Sequence, residues 1–156
     1  MIPLFTLVRQ NKLIGGELQN AIEKVISTGV FILDSKVAEF EHKFAEFEGV
    51  KYAVGVASGT DAISLAIMAL GVGQGDEVIM PANSYPSVFG VCAAGAVPKL
   101  VDIDPVTFNI DPAKIPAAIT KKTKAILPVH MYGQPAEMEK ILEIGNKYKI
   151  PVIEDC

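Results

Sequence analysis

The sequence predicts an α/β fold built on a mostly parallel sheet with helices on its faces. Three observations carry that prediction. Short unbroken apolar runs at 52–57, 77–80, 98–103, 125–129 and 151–154 alternate with helical patterns at 60–70, 87–94, 112–119 and 136–148. Strands that are apolar on both sides belong to sheets covered on both sides, which is the parallel arrangement. No internal repeat or low-complexity stretch breaks the alternation. Right-handed crossovers then point the strands the same way, so their carboxyl ends share one edge. Ligands of such sheets bind at that edge.

The first 50 residues read as a helical segment (1–50) ahead of the alternating region (51–156). From Gly16 onward, Leu18, Ile22, Val25 and Ile26 fall on one helical face, and Ser27-Thr-Gly29 is the expected stop. Asp34 or Ser35 is the expected cap of a second helix, with Val37, Phe40, Phe44 and Phe47 in one stripe and Gly49 ending it. Gly71-Val-Gly-Gln-Gly75 follows a helix and precedes a strand. That is the reverse of a dinucleotide-binding loop, so it is expected to be a helix end and turn.

Composition narrows the class. The chain has 156 residues, half of them hydrophobic and 21% charged, with 14 basic and 18 acidic side chains, 14 − 18 = −4 in net charge. The apolar content suits a globular domain, and mild acidity argues against a nucleic-acid surface. The stretch Met1 to Gln10 lacks the basic start and small-residue cleavage site of a secretory leader. The longest nearly apolar run, 88–97, is far shorter than the roughly 20 residues that cross a bilayer. Two cysteines, Cys92 and Cys156, make no disulfide framework. Cys92 is expected to be a small buried hydrophobe, and no metal site is expected. A cytoplasmic, membrane-free protein is the expectation.

The residues leaving the strand ends are the candidates for chemistry. Ser58-Gly-Thr60 opens a helix, where unpaired N–H groups and the dipole suit a phosphate. The same residues also read as an ordinary capping box closed by Asp61. Tyr85, past the second strand, can stack on a flat heterocycle or be a rim tyrosine. Asp155 ends a strand placed at the sheet's centre. It can pair with a pyridinium N–H or bond to neighbouring loop amides. His130 is expected to be a hydrogen-bonded structural residue, Asp102 and Asp104 turn residues, and Lys121, Lys122 and Lys124 a solvated loop.

Five stretches carry a resemblance. They are Val54-Gly-Val-Ala-Ser-Gly-Thr-Asp-Ala62, Gly75-Asp-Glu-Val-Ile79, Gly95-Ala-Val-Pro98, Val129-His-Met-Tyr-Gly133 and Ile153-Glu-Asp155. Together they resemble the DegT/DnrJ/EryC1/StrS aminotransferases, fold type I enzymes that use pyridoxal 5'-phosphate (PLP) on nucleotide-linked keto sugars. The likeness runs from Ile2 to Cys156, with the motifs in order. Asp34 departs from it, standing where the family usually has glycine.

The resemblance implies a three-layer α/β/α large domain that is incomplete here, its last strands and small domain absent. It implies that Ser58, Gly59 and Thr60 hold the PLP phosphate, that Tyr85 stacks on the pyridine ring, and that Asp155 pairs with the ring nitrogen. No catalytic residue is assigned, because the Schiff-base lysine of the family is expected beyond Cys156. The implied partners are a nucleotide-linked keto-deoxysugar, an amino donor that is typically glutamate, and a second copy in a homodimer. Later strands of the family fold stand between 52–57 and 151–154. In a chain of this length those two segments are expected to leave unpaired edges, making it unstable and inactive alone. Two other readings stay open: a PLP-dependent sugar 3-dehydratase of the same family, and a non-catalytic nucleotide-binding or regulatory α/β module.

Overall fold

The computed structural model describes Pro3 and residues 6–156. Residues 1, 2, 4 and 5, part of the stretch read as lacking a leader's pattern, lie outside them. The chain divides into two compact units, Met1–Gly55 and Val56–Cys156.

The first unit is helical. Helix α1 spans Val8–Thr28 and stops where Gly29 takes the left-handed conformation, φ 68°. It begins upstream of the expected Gly16 and runs through the Gly15-Gly16 pair. Its stripe is not buried: Leu18, Ile22 and Ile26 are 45%, 46% and 61% exposed. Helix α2 spans Ser35–Glu48, with Asp34 at its N-cap in an extended conformation and Gly49 closing it. The left-handed residue of that turn is Leu33, φ 50°, so Asp34 sits there without backbone strain. Residues 52–57 carry no strand, contrary to expectation. A strand exists only through a ladder partner, and among the described residues none pairs with this segment. The Gly55 N–H instead donates to Oε1 of Glu41 at 2.7 Å.

The second unit is the layered α/β part. Strand β1 (Glu77–Pro81) lies between β2 (Val97–Val101) and β3 (Thr123–Ile126), all parallel. Val78, Ile79 and Met80 are each fully buried, as the unbroken apolar run requires. Helices α3 (Gly59–Ala69) and α4 (Tyr85–Ala93) flank one face. There Ile63, Ile67 and Val91 pack with Val78, Met80, Ala125 and Leu127. The other face carries α5 (Ile115–Ala118), preceded by a 3-10 turn at Pro112–Lys114, and α6 (Met138–Tyr148). Ile115 and Ile141 pack there with Ile79 and Ile126. The alternation of the β1 side chains between the two cores makes three layers. Among the described residues no helix is long and apolar enough to cross a membrane.

The final segment pairs with β3 through two parallel bridges, Ile126 with Val152 and Val129 with Asp155. The Ile126 N–H donates to Pro151 O, Ile153 N–H to Ile126 O, and Asp155 N–H to Pro128 O. The missing rung is the one residue 128 would donate, and proline has no N–H. The segment therefore stops short of a regular strand. Among the described residues β3 is its one neighbour, so its other flank is the unpaired edge expected for this segment.

Two further expectations change. The fourth helix starts at Tyr85, with Pro86 inside its first turn, a position that tolerates a residue without an amide hydrogen. Cys92 is exposed, not buried, because α4 turns Ser87, Gly90 and Val91 inward instead.

Candidate functional site

The site forms where α3 and α4 begin and the strands end. Helix α3 leads through the turn at 70–76 into the start of β1, so its N-terminus lies at the strands' carboxyl edge. The turn is the expected one, with Gly71 and Gly75 at φ 71° and 86°.

Ser58 caps α3. Its Oγ accepts the Asp61 N–H at 3.1 Å and donates to Asp61 Oδ2 at 3.0 Å. Half of the expected capping box is therefore formed: the Asp61 carboxylate is held against the Ser58 hydroxyl rather than its backbone N–H. The N–H groups of Gly59 and Thr60 have no acceptor among the described residues, as expected for a helix's first turn. A Cβ placed on Gly59 would meet nothing within 4 Å, so the approach to this terminus is open.

The two helices are locked together beside this opening. Ser64 Oγ lies 2.9 Å from Thr60 O and 3.0 Å from Gly90 O. Gly90 permits the contact: a Cβ there would lie 2.7 Å from Ile63 Cγ2 and 3.1 Å from Thr60 O. This close approach sets where α4 begins, and hence where Tyr85 stands. Tyr85 is 70% exposed, its ring edge-on to Phe89 at 5.6 Å between centroids. One broad side of the ring is thus left for a flat ligand.

Asp155 is fixed at the end of the last segment. Its N–H donates to Pro128 O at 3.0 Å, and its carbonyl accepts the His130 N–H at 2.9 Å. The side chain bonds to a hydroxyl rather than to loop amides: Ser87 Oγ donates to Oδ2 at 2.5 Å. Oδ1 has no partner among the described residues and can accept a donor from a ligand.

Two loops complete the edge. Asp104 Oδ1 accepts the N–H groups of Val106 and Thr107, each at 2.8 Å. The Thr107 and then the Val106 bond hold its carboxyl below the usual carboxylate range. This turn delivers Asn109, 3% exposed. Its amide donates to Gln134 O and Pro135 O and accepts the Met131 N–H at 2.9 Å. His130 is bonded at both ring nitrogens. Nδ1 accepts the Ala136 N–H at 3.0 Å, which leaves Nε2 to donate to Glu154 at 3.1 Å. Lys121, Lys122 and Lys124 are exposed. Among the described residues no cluster of three or more His, Cys, Asp or Glu is placed to hold a metal.

The sheet edge therefore brings Tyr85 and Asp155 together through α4, since Ser87 is one helical half-turn from Tyr85 and bonds Asp155. Sequence reading missed Ser84, Ser87 and Asn109: Asp155 and the 131–135 loop are distant along the chain from Ser87 and Asn109, and Ser84 acts only through Ser87.

In this layered α/β protein an open helix terminus, the exposed Tyr85 ring and the anchored Asp155 carboxylate share one sheet edge. The chain belongs to the DegT/DnrJ/EryC1/StrS aminotransferase family, whose model matches residues 12–156. It is 48% identical to the dTDP-3-amino-3,6-dideoxy-alpha-D-galactopyranose transaminase of Aneurinibacillus thermoaerophilus over all of this chain and 43% of that protein. Among solved structures it superposes with TM-score 0.93 on S. venezuelae DesV in complex with a ketimine intermediate, at 37% identity, covering 99% of this chain and 42% of that one. It also superposes with TM-score 0.81 on GDP-4-keto-6-deoxymannose-3-dehydratase with a trapped PLP-glutamate geminal diamine, at 36% identity, covering 88% of this chain and 38% of that one. The chain thus spans less than half the length of these relatives. The fold is that of fold type I PLP enzymes, in part, and the family is PLP-dependent.

The residues present fit that cofactor. Two N–H groups at an open helix terminus suit a phosphate, and the Thr60 hydroxyl is beside them. A carboxylate with one oxygen committed and the other free suits a protonated ring nitrogen.

Proposed function

We propose that this chain is the N-terminal part of a PLP-dependent aminotransferase that moves an amino group, from glutamate as donor, to a nucleotide-linked keto-deoxysugar. The observation that carries the reading is the shared edge of the Gly59–Thr60 helix terminus, Tyr85 and Asp155. PLP supplies an electron sink for the bonds to the carbon that bears the amino group. The chain's own residues bind and orient it. Gly59 and Thr60 offer N–H groups and a hydroxyl to the phosphate, on a turn shaped by Ser58. Tyr85 covers one face of the ring. Asp155 holds a proton on the ring nitrogen by charge-assisted hydrogen bonding. The catalytic lysine belongs to the segment beyond Cys156, and residues 51–156 are the cofactor-binding part.

The bare stripe of α1 supports a homodimer as the working form, since a second copy would bury Leu18, Ile22 and Ile26. The exposed free thiol of Cys92 agrees with a reducing, cytoplasmic setting.

The test is reduction with borohydride of the full-length protein mixed with PLP. The reading predicts a cofactor fixed covalently to one lysine. Absence of any adduct in a protein that still binds PLP would favour the second reading, a sugar 3-dehydratase, which the 36% identity to such an enzyme supports.

A further inference from the structure

We propose that Ser87 is a positioning residue for the Asp155 carboxylate, with Ser84 acting through it. The proposal rests on the reading of this edge as a PLP site.

Ser84 is the N-cap of α4, yet its side chain makes no capping bond. A serine at that position ordinarily accepts an N–H from the first turn. Here Ser84 Oγ sits 2.7 Å from Ser87 Oγ instead. Ser87 has one hydroxyl proton, and it lies on the 2.5 Å bond to Asp155 Oδ2. Ser84 must therefore be the donor between the two serines. The result is a directed chain, Ser84 to Ser87 to Asp155, with every proton pointing at the carboxylate. Both serines are buried, at 6% and 1% exposure, so the bond between them is shielded from water.

The consequence is geometric. A terminal carboxylate rotates in a broad, roughly two-fold well. Engaging Oδ2 from one side restricts that rotation and leaves Oδ1 to accept a ligand's donor. Because Ser84 and Ser87 flank Tyr85 on the same helical turn, the ring-stacking residue and the ring-nitrogen partner become one rigid unit. A helix cap has been given up for that coupling.

The test uses the full-length protein in four forms: wild type, Ser87→Ala, Ser87→Cys and Asp155→Asn. PLP affinity is measured by absorbance titration, and the ring nitrogen of bound 15N-labelled PLP by its NMR shift. Ser87→Ala is expected to raise the PLP Kd on the order of tenfold, the loss of a hydrogen bond to a charged group. Its 15N shift is expected to move part of the way towards that of Asp155→Asn. Ser87→Cys still fills the site, with a somewhat larger sulfur, but substitutes a weak S–H donor, so it is expected to follow Ser87→Ala. If Ser87→Cys keeps the wild-type Kd and shift, the proposal is overturned, even if Ser87→Ala fails to fold. Unchanged values in the Ser87 variants alongside altered values in Asp155→Asn would overturn the role of Ser87 and leave the cofactor reading standing. A wild-type protein that binds no PLP overturns both.

Discussion

Ser87 Oγ donates to Asp155 Oδ2 at 2.5 Å, joining the first turn of α4 to the last segment of the sheet across 68 positions of sequence. The bond closes a loop of structure that begins at Gly90 and Thr60. Helix α3 holds α4 through Ser64, α4 holds Asp155 through Ser87, and β3 holds Asp155 through its backbone. The candidate phosphate, ring and nitrogen contacts thus share one mechanical frame.

That frame depends on the missing side chain at Gly90. A Cβ there would lie 2.7 Å from Ile63 Cγ2 and 2.8 Å from Ile63 Cβ. Gly90→Ala is expected to destabilise the full-length protein by about 1–3 kcal/mol, the usual cost of overpacking a tight contact. The check is a lowered urea midpoint, accompanied by weaker PLP binding as α4 is pushed away from α3.

Asn109 ties the 104–109 turn to the loop after β3. Replacing it with alanine takes one of two acceptors from the Met131 N–H, which keeps Val129 O at 3.1 Å, and leaves the carbonyls of Gln134 and Pro135 without their donor. The expected cost is about 1–3 kcal/mol. Amide hydrogen exchange should show Met131 exchanging faster, with β1 unaffected.

Acid should loosen the same region through Asp104. Its carboxyl is held below the ordinary range by the Thr107 and Val106 N–H groups, so the folded state binds its proton less readily than the unfolded state. The stabilisation is present above the ordinary carboxylate pKa of about 4 and is lost as pH falls through the lower folded value. Asp104→Asn keeps an acceptor oxygen but does not titrate. Below pH about 4 the variant should lose less stability than wild type in thermal melts.

Thr60 separates binding from folding. Thr60→Val keeps the side chain's shape and removes the hydroxyl. The apo melting temperature is expected to stay within a few degrees, while the PLP Kd rises on the order of tenfold. Absorbance titration and apo melting curves read the two effects independently.

Much of this was legible in the sequence, for a physical reason. Val78-Ile79-Met80 is apolar without alternation, and only a strand covered on both faces can bury all three. Parallel strands put Tyr85 and Asp155 among the candidates at their carboxyl ends, alongside ordinary structural readings, while the resemblance supplied their roles and those of Gly59 and Thr60. The failures concern relations that span the chain. Residues 52–57 have the composition of a strand, but a strand is made by its neighbour, which composition does not report. Pro128 interrupts the final pairing by lacking an amide hydrogen, an effect visible only once its register opposite Glu154 is known. Ser87 reads locally as one more serine near a helix start, since its partner is 68 positions away. Cys92 lies in an apolar run with no clear period, so its outward face could not be told from the inward face of Val91.

The central claim is that this edge takes PLP with its ring between Tyr85 and the reach of Asp155. A crystal structure of the full-length protein with PLP tests it most directly. The account predicts the phosphate on the N–H groups of Gly59 and Thr60, the ring stacked on Tyr85, and the ring nitrogen within hydrogen-bond distance of Asp155 Oδ1 while Ser87 keeps Oδ2. A phosphate held elsewhere, or an Asp155 side chain turned away from the ring, would contradict it.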